Sequence, residues 1–281
     1  MRIYVHALGG GHGHLIRARG LAGGLNARGH DVVVGVPADH PHRAALEDLP
    51  FELWPLSPSE LGEEFRRRAE CFELFVVDAL PGGVLGELEG WRPPGRFVLL
   101  ERILSAPAPR ERFDGVLELE PEGGTGVVEP STAPAPAPVI LVGGDDGLDG
   151  LFDRLGRALE ARGVPHARLG RRGLGAGDPS EASLEPVPLG GAACVVGAAG
   201  YHLVHEARAL GVPHFALPRR RRFDDQRRRA ERFGCILARS PEALLEGVTR
   251  AARGALTRTA VAARDYDQLA EELLGQDTSP S

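Results

Sequence analysis

The 281-residue sequence contains no lysine, so all 33 of its basic residues are arginine, a bias of composition more than of chemistry. Aromatic residues make up only 5%, and there are three cysteines. Cys71, Cys194 and Cys235 are odd in number, lack CxxC spacing and lie in or beside apolar runs. That argues against a disulfide framework or a zinc site and predicts buried, reduced thiols. No apolar run reaches the about 18 residues of a membrane span. The opening "MRIYVHALGG" has too short an apolar stretch for a secretory signal, so a cytoplasmic chain is expected, or one peripheral at the inner membrane face. The net charge of −6 lacks the basic balance of a general nucleic-acid binder. What remains is an ordinary globular composition, 42% hydrophobic and 26% charged, with 38 glycines and 23 prolines marking many tight connections.

The length predicts two domains of roughly 130 to 150 residues. In the first half, short β-type runs alternate with amphipathic stretches: "RIYVHAL", 15–28, "DVVVGV", 41–48, "FELW", 58–70, "ELFVVD", 82–90, "RFVLLE" and "GVLELE". This is the rhythm of βαβ units on a parallel sheet. At 130–138, "PSTAPAPAP" holds four prolines, three of them at every second position from 134 to 138, which forbids helix and reads as an interdomain linker. The rhythm then restarts with "VILVGG", a helix over 148–162, "PHARLG", a glycine-rich stretch, "AACVVG", a helix over 201–210, "PHFALP", a helix over 224–233, "CILAR" and a helix over 241–253. The expected fold class is α/β, with two Rossmann-like domains, 1–130 and 139–255, facing each other across a cleft. Residues 256–275 read as one amphipathic helix, within a 256–281 segment that could pack back on the N-terminal domain.

Functional candidates fall at strand ends. Gly9, Gly10 and Gly11 directly follow the first strand, so the backbone can turn sharply and approach a ligand without Cβ obstruction. The following helix would present free N–H groups to an anion. His12 and His14 occupy that turn, where a helix N-terminus lowers an imidazole pKa and keeps it available as a base. Arg17 is a salt-bridging or phosphate-facing candidate. The spacing is not GxGxxG, and "VVVGVPAD" supplies no ribose-binding acid, so a nicotinamide cofactor is not expected.

"GHGHLIRARGLA" resembles the GxGHxxRxxxLA opening of GT-B enzymes related to the MurG-type peptidoglycan glycosyltransferase. It is also similar to the nucleotide-sugar hydrolase of pseudaminic acid synthesis, whose motif histidine is the catalytic base; the matching position is His14. Gly13 belongs to the same motif. A second block, "VVGAAGYHLVHEARALGVPHFALP", resembles the nucleotide-sugar half of the superfamily. There Ala198, Ala199 and Gly200 leave room at a strand end, and the helix starting at Tyr201 can face a diphosphate. The resemblance implies that Glu206 accepts ribose hydroxyls and that Gln226, after Asp224 and Asp225, contacts the donor sugar. His202 and His205 flank Glu206, and His205 reads as packing. Eight arginines fall within 219–232, of which Arg219 and Arg220 are expected nearest the cleft. "LVGGDDGLDG" supplies Gly143 and Gly144 as phosphate-loop candidates, but Asp145 and Asp146 would repel a diphosphate unless Asp145 caps the next helix. Asp78, ending "ELFVVD", could hold an acceptor, orient His14 or cap a helix.

Together these readings imply a glycosyltransferase-like enzyme with a UDP- or dTDP-type sugar donor, an unknown small-molecule or lipid-linked hydroxyl acceptor, and neither cofactor nor metal. The alternatives are a nucleotide-sugar hydrolase and a non-catalytic nucleotide-sugar-binding protein.

Overall fold

The computed structural model describes residues 1–9, 12–40, 43–47, 49–120, 128–129, 137–143, 147–169, 189–261 and 265–275. The chain divides into two compact units, Met1–Pro121 with Arg264–Ser281, and Glu122–Ala263.

The first unit contains β1 (Arg2–His6), α1 (His12–Ala27), β2 (Asp31–Pro37), β3 (Glu52–Leu56), α2 (Glu63–Ala69), β4 (Leu74–Asp78), β5 (Arg96–Glu101) and β6 (Gly115–Glu118). The six strands pair in parallel in the order β3-β2-β1-β4-β5-β6, the doubly wound arrangement, whose strand order reverses between β1 and β4. Val32, Val33 and Val34 of β2 and Phe75, Val76 and Val77 of β4 are all buried, as strands covered on both faces require. The scarce aromatic residues are concentrated here: Tyr4, Trp54, Phe65, Phe72, Phe75, Phe97 and Phe113 form one cluster.

The second unit contains β7 (Val128–Glu129), β8 (Val139–Val142), α3 (Asp149–Glu160), β9 (His166–Leu169), β10 (Cys194–Gly197), α4 (Tyr201–Ala209), β11 (His214–Ala216), α5 (Gln226–Arg232), α6 (Pro241–Ala252) and β12 (Thr257–Arg258). Four of these form a parallel sheet in the order β11-β10-β8-β9, and β12 pairs antiparallel with β7. The order reverses between β8 and β10. A mainly aliphatic core joins Val139, Leu141, Phe152, Leu159, Val196, Phe215 and Val248. The last element, α7 (Tyr266–Gly275), belongs to the first unit, where Arg28, directly after α1, donates to Asp267 at 3.0 Å and to Glu271 at 2.8 Å.

The α/β reading and its parallel sheets describe the structure, but several local expectations need correction. Residues 82–90 form turns instead of an amphipathic element, because Gly83, Gly86 and Gly90 all adopt positive φ. In 41–48 there is one 3-10 turn at Arg43–Leu46, and 58–70 splits into a 3-10 turn at Pro58–Glu60 and α2. "CILAR" contributes only a bridge from Ile236 to Phe215. Residues 256–275 are not one helix: Thr257 and Arg258 pair with Glu129 and Val128, and the buried Arg258 side chain donates to the Phe233 carbonyl, so helix begins only at Tyr266. Cys194 is buried, but Cys71 is exposed. The proline-rich stretch lies outside the described residues except for 137 and 138. Among the described residues no helix is long and apolar enough to cross a membrane.

One buried group makes the second unit acid-sensitive. His214 is fully buried between the Gly197 carbonyl, 3.4 Å from Nε2, and the Cys235 sulfur, 3.6 Å from Nδ1. Burial pushes its pKa down to about 4, although the carbonyl opposes the shift. Unfolding returns the ring to its ordinary value of 6.5, so the unfolded state binds the proton first. Stability contributed by the neutral ring is therefore present above pH 6.5 and lost as pH falls toward 4, by roughly 3 kcal/mol. Urea unfolding at a series of pH values should show this decline, and His214→Asn should flatten it.

Candidate active site

The structure places His14, Arg17 and Asp78 at the topological switch point of the first unit, where ligands bind in open parallel sheets. His14 lies in the first turn of α1, after β1, and Asp78 is the last residue of β4, the strand beside β1. His14 and Arg17 are three residues apart on α1 and so share one face. Both meet the same carboxylate. His14 Nδ1 donates to Asp78 Oδ2 at 2.7 Å, Arg17 Nε to Oδ1 at 2.7 Å and Arg17 Nη2 to Oδ2 at 3.0 Å. His14 is 6% exposed, Arg17 1% and Asp78 2%.

These contacts determine protonation. Burial alone would raise the Asp78 carboxyl pKa, but the Arg17 guanidinium and the His14 hydrogen bond outweigh it and hold the group well below the usual carboxylate range. For His14, burial is the largest influence and lowers the pKa below 6.5; Asp78 pulls it up, while the charges of Arg17 and Arg102 push it further down. The ring is therefore neutral at pH 7. With its proton on Nδ1, held by Asp78, the lone pair is on Nε2.

Two backbone features make room for this arrangement. A methyl group at Gly9 would stand 2.0 Å from His14 Nε2 and Cδ2, so only glycine lets the ring lie against the end of β1. Ala79, directly after Asp78, has φ +65°, and its amide points to Leu100 O at 3.0 Å and Val77 O at 3.2 Å. A left-handed alanine costs about 1 kcal/mol, and such outliers cluster at functional sites. Gly13 is half-buried in α1; His12 opens that helix, and Gly10 and Gly11 lie outside the described residues.

In the second unit the switch point lies between β8 and β10. Ala199 is buried and half-buried Gly200 caps α4, where nothing lies within 4 Å of the space a Cβ would take. Tyr201 starts the helix and packs on His205, which meets Phe233 edge-to-face and accepts from Arg208 Nη1 at 3.1 Å, a packing role for that histidine. Glu206 is half-buried on α4. After β8, Gly143 is buried; Gly144, Asp145 and Asp146 lie outside the described residues, and the N-cap position of α3 falls on Leu148 instead of Asp145. Exposed Arg219 reaches the same loop, its Nη2 standing 3.5 Å from a Cβ built on Gly147. Arg220 is exposed and bridges Asp225 through the backbone. Asp225 caps α5, accepting the Arg228 amide at 3.0 Å, and buried Gln226 accepts the Arg219 amide at 2.9 Å through Oε1.

Sequence reasoning named Gly9 for its turn but not for its contact with the His14 ring, and it missed the charge of Arg102 and the role of Arg229. Arg229 is fully buried and donates to Ala199 O at 3.2 Å and Asp224 at 2.7 Å, so it anchors the turn before α4. The signal was helical periodicity: Gln226, Arg229 and Ala230 form the inward face of α5. Among the described residues no group of three or more His, Cys, Asp or Glu is placed to hold a metal ion.

Two parallel doubly wound units of this kind make up the GT-B fold, and the chain has that fold. It is similar to Acinetobacter baumannii MurG at 16% identity and a TM-score of 0.61, with 98% of this chain and 99% of that chain covered. It is also similar to the spinosyn rhamnosyltransferase SpnG complexed with spinosyn aglycone, at 17% identity and a TM-score of 0.60 over 98% and 96% of the two chains. The glycosyltransferase VinC in complex with dTDP matches at 15% identity and a TM-score of 0.52, over 100% and 96%. No protein-family model and no curated protein matches the sequence.

The interdependence of the site can be measured by unfolding. Asp78→Asn keeps the shape but removes the buried negative charge to which Arg17 and His14 both donate, and should cost about 3 kcal/mol. Gly9→Ala should cost about 1 to 3 kcal/mol by forcing the His14 ring aside. Denaturant unfolding of both variants, with NMR of the His14 ring, checks the size of each loss and whether Gly9→Ala displaces His14.

Proposed function

We propose that the chain transfers a sugar from a nucleotide-diphosphate sugar, of UDP or dTDP type, to a hydroxyl acceptor. The observation that carries this reading is His14: a buried imidazole, neutral at pH 7, with Nδ1–H held by Asp78 and its lone pair on Nε2 at the carboxyl edge of a parallel sheet. That is the state a general base needs. As the acceptor oxygen bonds to the anomeric carbon, the bond from that carbon to the diphosphate breaks and its electron pair leaves with the diphosphate. The acceptor proton passes to Nε2, and the Asp78 carboxylate stabilises the resulting imidazolium.

The first unit supplies the base and the second holds the donor. The diphosphate would lie on the amides that start α4 after Gly200, with Arg219 beside Gly147 as its cation, and Glu206 would accept ribose hydroxyls. Gln226 has its Oε1 engaged by the Arg219 amide, so its amide N–H groups are assigned to the sugar. Asp225 is assigned to capping α5, not to the ligand. The similarity to a rhamnosyltransferase complexed with its aglycone and to a glycosyltransferase complexed with dTDP supports a small-molecule acceptor and a nucleoside-diphosphate donor.

Nucleotide release from dTDP- and UDP-sugars, with and without a panel of hydroxyl acceptors, tests the reading. His14→Ala should lower turnover by about a hundredfold or more, while dTDP or UDP still raises the melting temperature. Turnover should fall as pH drops through the His14 pKa, with the acid limb below pH 6.5, because protonation removes the base. Full activity in His14→Ala, or no thermal shift with any nucleotide, would overturn the proposal; equal donor consumption without acceptor would reassign the protein as a hydrolase.

A further inference from the structure

Residues 79–91, which follow Asp78, close around one buried carboxylate. Glu87 Oε1 accepts the Val84 amide at 3.1 Å, Oε2 accepts the Leu85 amide at 2.8 Å, and the Leu88 amide donates to Gly82 O at 3.1 Å. The carboxyl group fills the space that a side chain at Gly83 would need: a Cβ there would come within 2.2 Å of it, and Gly83 has φ +80°. The carboxylate is then tied to β1. His6 Nε2 donates to Glu87 Oε1 at 2.9 Å, with both side chains 2% exposed. The His6 ring packs among Tyr4, Phe65 and Phe75, and Arg66 of α2 donates to the Glu87 carbonyl at 3.2 Å.

This pair spans the same two strands as the His14 site. His6 ends β1 and is in register with Val77, the residue before Asp78. Beyond Asp78 the chain passes at once through left-handed Ala79, a conformation that persists only where its surroundings over-determine it. The surroundings do so from both sides: the Ala79 amide is held by Leu100 O, and the loop beyond is held by Glu87 on His6. A buried carboxylate with every contact satisfied is a strong restraint, because each lost partner leaves a charge out of water.

We propose that the His6–Glu87 pair is a positioning element, clamping the loop after Asp78 to β1 so that the Asp78 carboxylate keeps its orientation toward His14. The proposal rests on the reading of His14 as the base. Neither residue is a catalytic group; the pair acts through Asp78.

The test uses the full chain with three variants. Glu87→Gln keeps the shape but turns an amide N–H against a donor; His6→Leu keeps apolar packing and removes the donor; His6→Gln retains an N–H donor. Three quantities are read: amide exchange at Val84 and Leu85, the low-field NMR resonance of the His14 Nδ1 proton, and turnover. In Glu87→Gln and His6→Leu, exchange should quicken and the His14 resonance should shift or broaden. The value of kcat should drop about tenfold with donor KM unchanged, and His6→Gln should restore all three. Unchanged exchange, or faster exchange with the His14 resonance intact, overturns the proposal. If His6→Leu does not fold, Glu87→Gln decides alone. If the wild-type protein turns over no nucleotide sugar, the reading of its function fails while the exchange and NMR arms still decide this one.

Discussion

Everything at the candidate site depends on one carboxylate. Asp78 is buried, and it is tolerable there only because Arg17 and His14 both donate to it; Arg17 is tolerable for the same reason. The three groups therefore stabilise one another. That requirement reaches outward into the backbone. It sets the phase of α1, since His14 and Arg17 must share a face, and it demands glycine at position 9, where the imidazole crosses the end of β1. It also ends β4 at a left-handed residue. Burial then gives the imidazole its chemistry, because a ring kept out of water is held neutral while its carboxylate partner stays ionised.

The two units share a topological device and use it differently. Each reverses its strand order at one point, and His14 and Asp78 in the first unit, and Gly143, Ala199 and Gly200 in the second, lie at the carboxyl ends of the strands beside that point. In the first unit the chemistry lies in buried, charged side chains. In the second the turn after β10 is made of small residues, Ala198, Ala199 and Gly200, and buried Arg229 donates to the Ala199 carbonyl before α4 begins. The arginines of 219–232 are not equivalent. Arg229 is fully buried and structural, Arg219 reaches the loop after β8, and Arg220, Arg221 and Arg222 face solvent. A run of one residue type thus divides into distinct roles according to where each residue stands in the fold.

Much of the architecture was legible because it rests on local signals. "RIYVH", "DVVVGV" and "LFVVD" are apolar runs of strand length, and both units repeat them with helical stretches between. His14, Arg17 and Asp78 could be chosen as residue types at strand ends. Their bonds could not, because Asp78 lies 61 residues from Arg17 and 64 from His14. Where local signals misled, tertiary structure explains why. An amphipathic pattern over 82–90 was overridden by three positive-φ glycines and by the pull of Glu87 onto His6. A helical pattern from 256 gave way to pairing of Thr257 and Arg258 with β7.

By itself the sequence determined an α/β chain with two rounds of strand and helix, and the residue types that stand at the strand ends, since period and turn chemistry are properties of neighbouring residues. The tertiary structure alone decided which of those residues meet, that His14 is neutral with its proton on Nδ1, and that Arg102 and Arg229 belong to the same account. Burial and pairing arise only when distant segments exclude water together, and no short-range pattern encodes them.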